Sequence, residues 1–449
     1  MYMARKRALL FLLPLFLFFS AGFFYVLHIL QLTTIYPNIY IDGIDVGGLS
    51  CEEAVVLLTA NMDKTYLSDY LTLNARDKRY KIHFGDIDYV PDYEKAVEAA
   101  YNVGRTGNTV ERLKEIWTVR RNGKSIISRM SFNKEKLLNM LNIIQNETRK
   151  EPENAQISIH NGKAEIKPHT VGFSVDVGRS MEKIEYMLVN RIWDDADLCY
   201  EDIVPDITVQ MVENITYKLG EFETAFNPDN EARVHNIRMA CGKIDQTLLL
   251  DGQEFSMDKS LGERTEQNGY RPAKVIVNNE LVEGLGGGIC QVASTMYNSV
   301  LLSGLEVLER RNHTLVPSYI EPGRDATISQ GYIDLRFRNN TGYAVLIEAK
   351  TVGNKVKVTI WGCEQEVKTT ARIRTKIIEI IKPKEIEYIP DSSLKAGVEK
   401  VVREAKPGYK VEVYRDILDM SGNVIKTEII SVDIYQPQKK KVIKGTKIN

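Results

Sequence analysis

Between Gly284 and Gln291 the chain reads Gly-Leu-Gly-Gly-Gly-Ile-Cys-Gln, setting one cysteine directly after a glycine run and directly before an apolar segment. Val292, Met296, Val300 and Leu301 recur at helical intervals, so the spacing predicts a helix that begins near Cys290. A thiol at a helix N-terminus sits at the positive end of the peptide dipoles, near unpaired backbone N–H groups, and both favour thiolate. Gly286, Gly287 and Gly288 permit positive φ and leave room for a substrate backbone. Two readings follow: a cysteine nucleophile, or a small buried thiol behind a tight turn.

Composition narrows the setting. With 449 residues, the chain is long enough for roughly two to four domains, each with its own core. A formal net charge of −1 gives no electrostatic footprint for nucleic acid, and no phosphate-binding loop signature occurs. Cys51, Cys199, Cys241, Cys290 and Cys363 stand singly, without metal-ligand spacing. An odd number in an exported chain leaves a free thiol, for which Cys290 is the natural candidate. The other four are expected to pack as small apolar residues.

Arg5, Lys6 and Arg7 precede Ala8–Leu27, an uncharged stretch long enough to cross a bilayer, and the next Lys or Arg is Lys64. That asymmetry predicts a single transmembrane helix within residues 1–32, with the N-terminus cytoplasmic and the bulk outside. A cleaved signal peptide is the alternative, with Ser20-Ala21-Gly22 as a weak cleavage site.

The remainder reads as an α+β multidomain chain. Ser50-Cys51-Glu52-Glu53 forms a capping box that opens a helix. Residues 155–166 alternate around Asn161-Gly162, a hairpin signal, and a helix follows from about Arg179. Residues 36–215 therefore form a duplicated α+β module with sub-parts at about 36–150 and 151–215. Gly342–Lys350 and Lys355–Trp361 alternate around Val352-Gly353-Asn354, an expected edge hairpin. Residues 370–449 are strand-like and lysine-rich, a small all-β domain ending in a basic tail of Lys439, Lys440, Lys441, Lys444 and Lys447. The tail is either a contact for an anionic polymer or a solvated edge.

Family resemblance adds chemistry. Glu254-Phe255-Ser256, Gly269-Tyr270, the run from Gly286 to His313, Pro322–Thr327 and Asp334–Asn340 together resemble the VanW family. The expected α+β VanW domain covers 216–365. Gly43, Gly47-Gly48, Asp88-Tyr89 and Gly104–Asn108 resemble peptidoglycan-binding-like modules. Asp391–Gly397, Gly408, Ser421-Gly422-Asn423 and Ile443–Thr446 resemble a G-five-type domain, although Ala405 stands where that family has glycine.

What the resemblance implies is cell-wall chemistry: an outward-facing protein whose partners are peptidoglycan stem peptides and glycan, and L,D-transpeptidation through a thioester on Cys290, with no metal or organic cofactor. The alternatives are L,D-carboxypeptidation by the same thioester, and a non-catalytic peptidoglycan-binding scaffold or glycopeptide-response accessory protein. The duplicated module reads as a glycan or stem-peptide binder, or as a rigid spacer, since it holds no aromatic stripe in sequence.

A cysteine acyltransferase needs a base, an orienter and an oxyanion hole. His313, in Arg310-Arg311-Asn312-His313, is the expected base; Asp325 and Asp334 are alternative orienters. Gly286, Gly287, Gly288, Gln291 and Arg324 are expected to meet substrate, Arg324 through a stem-peptide carboxylate. An internal pair of Arg324 with Asp325 or Glu321 is the competing reading. Oxyanion donors are expected among the N–H groups of Ile289, Cys290 and Gln291, with the Gln291 amide as a further one.

Overall fold

A computed structural model of the protein describes residues 16–18, 20–277, 280–364, 369–383 and 385–447. The chain is a mixed α/β multidomain protein with an all-β C-terminal region. It divides into two compact units: one takes in the chain to Pro152 together with Val171–Val204, the other Glu153–Thr170 together with Pro205–Asn449.

In the first unit, local signals are realised directly. Helix Cys51–Ala60 starts on the Ser50/Glu53 capping box, with Glu53 N–H donating to Ser50 Oγ at 3.2 Å and Ser50 N–H to Glu53 Oε2 at 2.9 Å. Two apolar cores form, one around Ile39, Leu58, Val97 and Ile116, the other around Leu73, Phe84, Leu141 and Leu188. Aromatic residues distant in sequence converge at the second: the Phe84 ring lies 4.9 Å from both Tyr89 and Trp193. With Tyr66, Asp69 and Arg191 they line a cavity of about 720 Å³.

The expected single transmembrane helix and single-pass localisation are corrected here: among the described residues no helix is long and apolar enough to cross a membrane. Residues 1–15 and Phe19 of the expected segment lie outside the described residues. The physical reason is visible at the near end of that segment. Ile29, Leu30 and Leu32 pack on the first core, and the carbonyls of Leu30 and Leu32 accept hydrogen bonds from Arg112 and Arg105. That end is held by protein groups.

The hairpin around Asn161-Gly162 forms, with φ of 53° and 77° at the two turn residues, as a type I′ turn requires. It belongs to the second unit, whose main sheet is antiparallel. Its strands are β1 (Tyr217–Ala225), β2 (Thr247–Leu249), β4 (Val345–Val352) and β5 (Lys355–Gly362), in the order β1-β5-β4-β2. The β4–β5 hairpin expected at an edge is therefore central. Tyr217–Ala225 pairs along its outer side, and both faces are covered: Val345, Ile347, Val358 and Ile360 lie in the helix core, and Leu346 and Trp361 pack with Ile157 and Ile159, which explains the nearly continuous burial of both strands.

Helix α1 (Glu231–Ile244) packs on β4, and helix α2 (Ile289–Leu302) on β1 and β5. Strand β3 (Pro272–Val277) pairs antiparallel with Glu280–Leu285 just before α2. Helix α2 is buried from Gln291 to Leu301 on every side, so it is a central core helix whose apolar residues are not confined to one face. The C-terminal region forms two three-stranded sheets. One contains β6 (Thr370–Ile381), β7 (Gly408–Leu418) and β8 (Val424–Tyr435), in that order. The tail lysines face acids of their own module, Lys439 with Glu385, Lys440 with Glu404, Lys441 with Glu387 and Lys444 with Glu399.

Close approach of α2 to β1 requires a glycine at 220, where an added Cβ would lie 2.6 Å from the Ser299 carbonyl oxygen. Gly220→Ala should therefore destabilise the second unit by about 1–3 kcal/mol. Gly242, inside α1 with open space around its missing side chain, supplies the opposite sign. Gly242→Ala should stabilise by about 0.5–1 kcal/mol. Urea unfolding midpoints of the two variants check both signs.

Candidate functional site

The glycine run places Cys290 in the first turn of α2. Gly286 and Gly288 have φ of 79° and 112°, conformations that only glycine adopts without strain. Gly287 is small for another reason: a Cβ there would lie 2.8 Å from the Ala273 carbonyl carbon on β3. At Gly288 a Cβ would lie 2.9 Å from Ile237. The run is thus shaped by the protein's own packing. Asn236, fully buried on α1, pins it by donating to the carbonyls of Arg271 (2.8 Å) and Gly287 (3.1 Å) and accepting from Arg271 N–H (2.9 Å).

One face of α2 carries the rest. Cys290, Ser294 and Asn298 stand four residues apart and so lie above one another. Ser294 Oγ accepts from Ala326 N–H at 2.9 Å. Asn298 donates to the Arg324 carbonyl and accepts from Arg324 Nε, both at 2.7 Å. This polar ladder holds residues 324–326 against the helix and brings Asp325 to the site. The signal was present in sequence as polar residues at the fourth and eighth positions after the cysteine.

Cys290, His313 and Asp325 form one hydrogen-bonded chain. Asp325 Oδ2 accepts from both His313 N–H and His313 Nδ1–H at 2.6 Å, and the His313 side chain hydrogen-bonds the Cys290 thiol. Burial alone would raise the thiol pKa. The hydrogen bond and charge of His313, a backbone hydrogen bond at Ile328 and the Arg233 charge outweigh it and leave the thiol below its ordinary value. Burial likewise opposes charge on His313, but Asp325 and the thiolate raise it to about 10. Asp325, despite burial that would raise it, is held below the usual carboxylate range by His313 and Arg310. These directions describe a thiolate–imidazolium pair braced by a carboxylate.

The other expected residues lie in different roles. Asp334 accepts from Ser256 Oγ at 2.5 Å and from Asp258 N–H at 2.8 Å, where it fastens a short helix start. Gln291 is 1% exposed, and its amide is engaged by Arg233, Thr224 and the Ala225 carbonyl. Ile289 N–H and Gln291 N–H bond within the turn, to Gly286 and Gly288. The Cys290 N–H has no acceptor among the described residues. The Arg324 guanidinium lies 4.5 Å above the Phe222 ring and bonds Asn298.

Sequence reasoning missed Arg233, Tyr319 and Tyr435, because a lone arginine or tyrosine carries no local pattern that marks it as a neighbour of a thiol. Arg233 donates to Gln291 Oε1 at 3.0 Å and has no carboxylate within ion-pair distance among the described residues. The Tyr319 hydroxyl is 3.4 Å from Ser294 Oγ; burial and the Cys290 charge push its pKa well up, so it stays a hydrogen-bond donor.

Comparison with known proteins agrees with this organisation. Residues 232–361 match the family described as VanW like protein, 80–192 a putative peptidoglycan binding domain, and 373–447 the G5 domain. An uncharacterized protein of Bacillus subtilis, YoaR, is 34% identical over 262 residues, 58% of this chain and 83% of that protein. The vancomycin B-type resistance protein VanW of Enterococcus faecalis is 31% identical over 117 residues, 25% of this chain and 42% of that protein. Among solved structures, the IgA1 protease G5 domain is 26% identical, covering 19% of this chain and all of that one with a TM-score of 0.13.

Alkylation of Cys290 by iodoacetamide reads the thiolate directly. The raised His313 pKa means the imidazolium is present at neutral pH and lost only above about 10, so the wild-type midpoint should lie below that of an ordinary thiol. His313→Ala leaves only the Ile328 hydrogen bond and the Arg233 charge against burial; the midpoint should rise and the rate at neutral pH fall by roughly 10-fold or more. Asp325→Asn should move it the same way and Asp334→Asn should not.

Proposed function

The chain belongs to the VanW-domain family that includes YoaR, and from that membership we propose that it is a cell-wall-associated cysteine acyltransferase acting on peptidoglycan stem peptides, of the L,D-transpeptidase class. The single observation that carries the reading is the hydrogen-bonded chain from Cys290 through His313 to Asp325. A thiol poised as thiolate at a helix start, with its imidazole oriented by a buried carboxylate, is the arrangement that acyl transfer requires.

The reaction follows from these groups. The Cys290 thiolate attacks the carbonyl after the third residue of a donor stem. The Cys290 N–H and the Tyr319 hydroxyl are the donors available to the developing oxyanion. The His313 imidazolium gives its proton to the departing D-alanine nitrogen, and the C–N bond breaks to leave a thioester. The amine of a neighbouring stem then attacks the thioester, His313 takes the proton released, and a new amide forms as the thiolate departs. With water in place of the amine, the same steps give L,D-carboxypeptidase activity.

Arg233 suits the terminal carboxylate of the donor. It is a partly exposed cation whose charge reaches the thiol, and it lacks an acidic partner among the described residues. Arg324 is engaged in packing its own loop, so the carboxylate contact moves from Arg324 to Arg233 in this reading. Binding of the wall polymer itself is supported by the aromatic cavity of the first unit, where the half-exposed Trp193 offers a flat face beside Arg191 and Asp69.

Intact-mass measurement of the full chain with a tetrapeptide muropeptide should reveal a covalent adduct on Cys290. Cys290→Ala should give none and keep its fold; Cys290→Ser should be nearly inactive. A wild-type protein without adduct would sink the enzyme reading. Arg233→Gln should lower kcat/KM by roughly 10–100-fold for a donor with a free terminal carboxylate, yet change little for the amidated donor.

A further inference from the structure

The residue that completes the Asp325 site comes from the C-terminal β region. Asp325 is fully buried, and its Oδ2 is used by His313. Its Oδ1 accepts from the hydroxyl of Tyr435, which ends β8 and is itself fully buried. The same hydroxyl accepts from Gly323 N–H at 2.6 Å, so it fixes both the carboxylate and the backbone two residues before it. Arg310 adds a second brace. It donates to the Asp325 carbonyl at 2.7 Å, comes within 3.5 Å of Oδ1, and is held by Asp433 of β8 at 2.7 Å.

The seam around these contacts is continuous. Gln436 N–H donates to the Thr314 carbonyl at 2.7 Å and Asn312 Nδ2 to the Ile434 carbonyl at 3.0 Å. These tie the loop that carries His313 to the end of β8. Gly323 lies flat on the sheet, where an added Cβ would be 2.7 Å from Val413 on β7. Ile373 of β6 and Ile430 of β8 pack against the core that contains α2.

We propose that Tyr435 is a positioning residue of the Cys290 site, and that the C-terminal β region is therefore a working part of that site and not a separate appendage. This rests on the reading of Cys290 as nucleophile given above. The groups facing Asp325 are His313, Arg310 and Tyr435, with Asp433 behind Arg310 and Cys290 and Tyr319 beyond the imidazole. Removing the tyrosine hydroxyl leaves a fully buried carboxylate oxygen short of a donor. A carboxylate so placed takes up a proton more readily, and a neutral Asp325 no longer sustains the His313 charge that keeps Cys290 as thiolate.

Tyr435→Phe keeps the ring and removes only the hydroxyl. In the full chain, the pH midpoint for iodoacetamide alkylation of Cys290 should rise by about one unit, which is about 10-fold slower reaction below it. Asp433→Asn, which loosens Arg310, should move it the same way by less and serves should Tyr435→Phe fail to fold. Val442→Ala removes buried volume from the other sheet of the module and should leave the midpoint in place. A folded Tyr435→Phe with the wild-type midpoint overturns the proposal, as does an equal shift in Val442→Ala, which would mean general loosening. Acylation by the muropeptide is scored separately. A wild-type chain that is never acylated, yet whose low midpoint is raised by Tyr435→Phe, would refute the transpeptidase reading and leave the positioning role standing.

Discussion

A fully buried carboxylate is stable only if nearly every lone pair is met, and Asp325 is where this chain meets that condition. Two N–H groups of His313, the Tyr435 hydroxyl and the Arg310 guanidinium converge on it from separate segments. The surroundings are fixed in turn: Arg310 by Asp433, Tyr435 by Gly323, and the backbone on either side of Asp325, at Arg324 and Ala326, by Asn298 and Ser294 of the cysteine helix. Removing any one partner exposes the others to an uncompensated charge. The local fold and the chemistry at Cys290 therefore share one electrostatic dependency.

Short-range features were legible in the sequence because their causes are short-range. The Ser50/Glu53 capping box, the left-handed Asn161-Gly162 turn and the helix start at Cys290 are all decided within a few residues. The choice between Asp325 and Asp334 was not legible. Both are acids in loops downstream of His313, and what separates them is which partners the fold supplies: Ser294 and Asn298 hold residues 324–326 beside His313, whereas Asp334 is taken by Ser256 and Asp258. The oxyanion donors were open for a similar reason. Only the folded turn shows that the Ile289 and Gln291 N–H groups are engaged while the Cys290 N–H has no acceptor among the described residues.

Two misreadings have a common origin in treating an apolar run by itself. The alternation around Val352-Gly353-Asn354 gave the hairpin but not its place, because the strand that covers its outer side begins at Tyr217. The N-terminal apolar stretch suggested a membrane helix, whereas among the described residues no helix is long and apolar enough to cross one, and the residues just past the stretch, Ile29–Leu32, are taken up by Arg105, Arg112 and the first core. Aromatic residues behaved likewise. Phe84, Tyr89 and Trp193 form no stripe in sequence, yet they meet around one cavity.

The path of the chain between its two units has a consequence for how such a protein is made and inherited. The chain enters the second unit at Glu153, returns to the first at Val171 and leaves it again at Pro205. During synthesis the hairpin at 156–167 emerges before the helix Val177–Val189 that the first unit still lacks, so neither unit is complete when the other begins. No single cut separates them cleanly. A gene rearrangement that joined either unit to a new neighbour at one junction would strand part of the other.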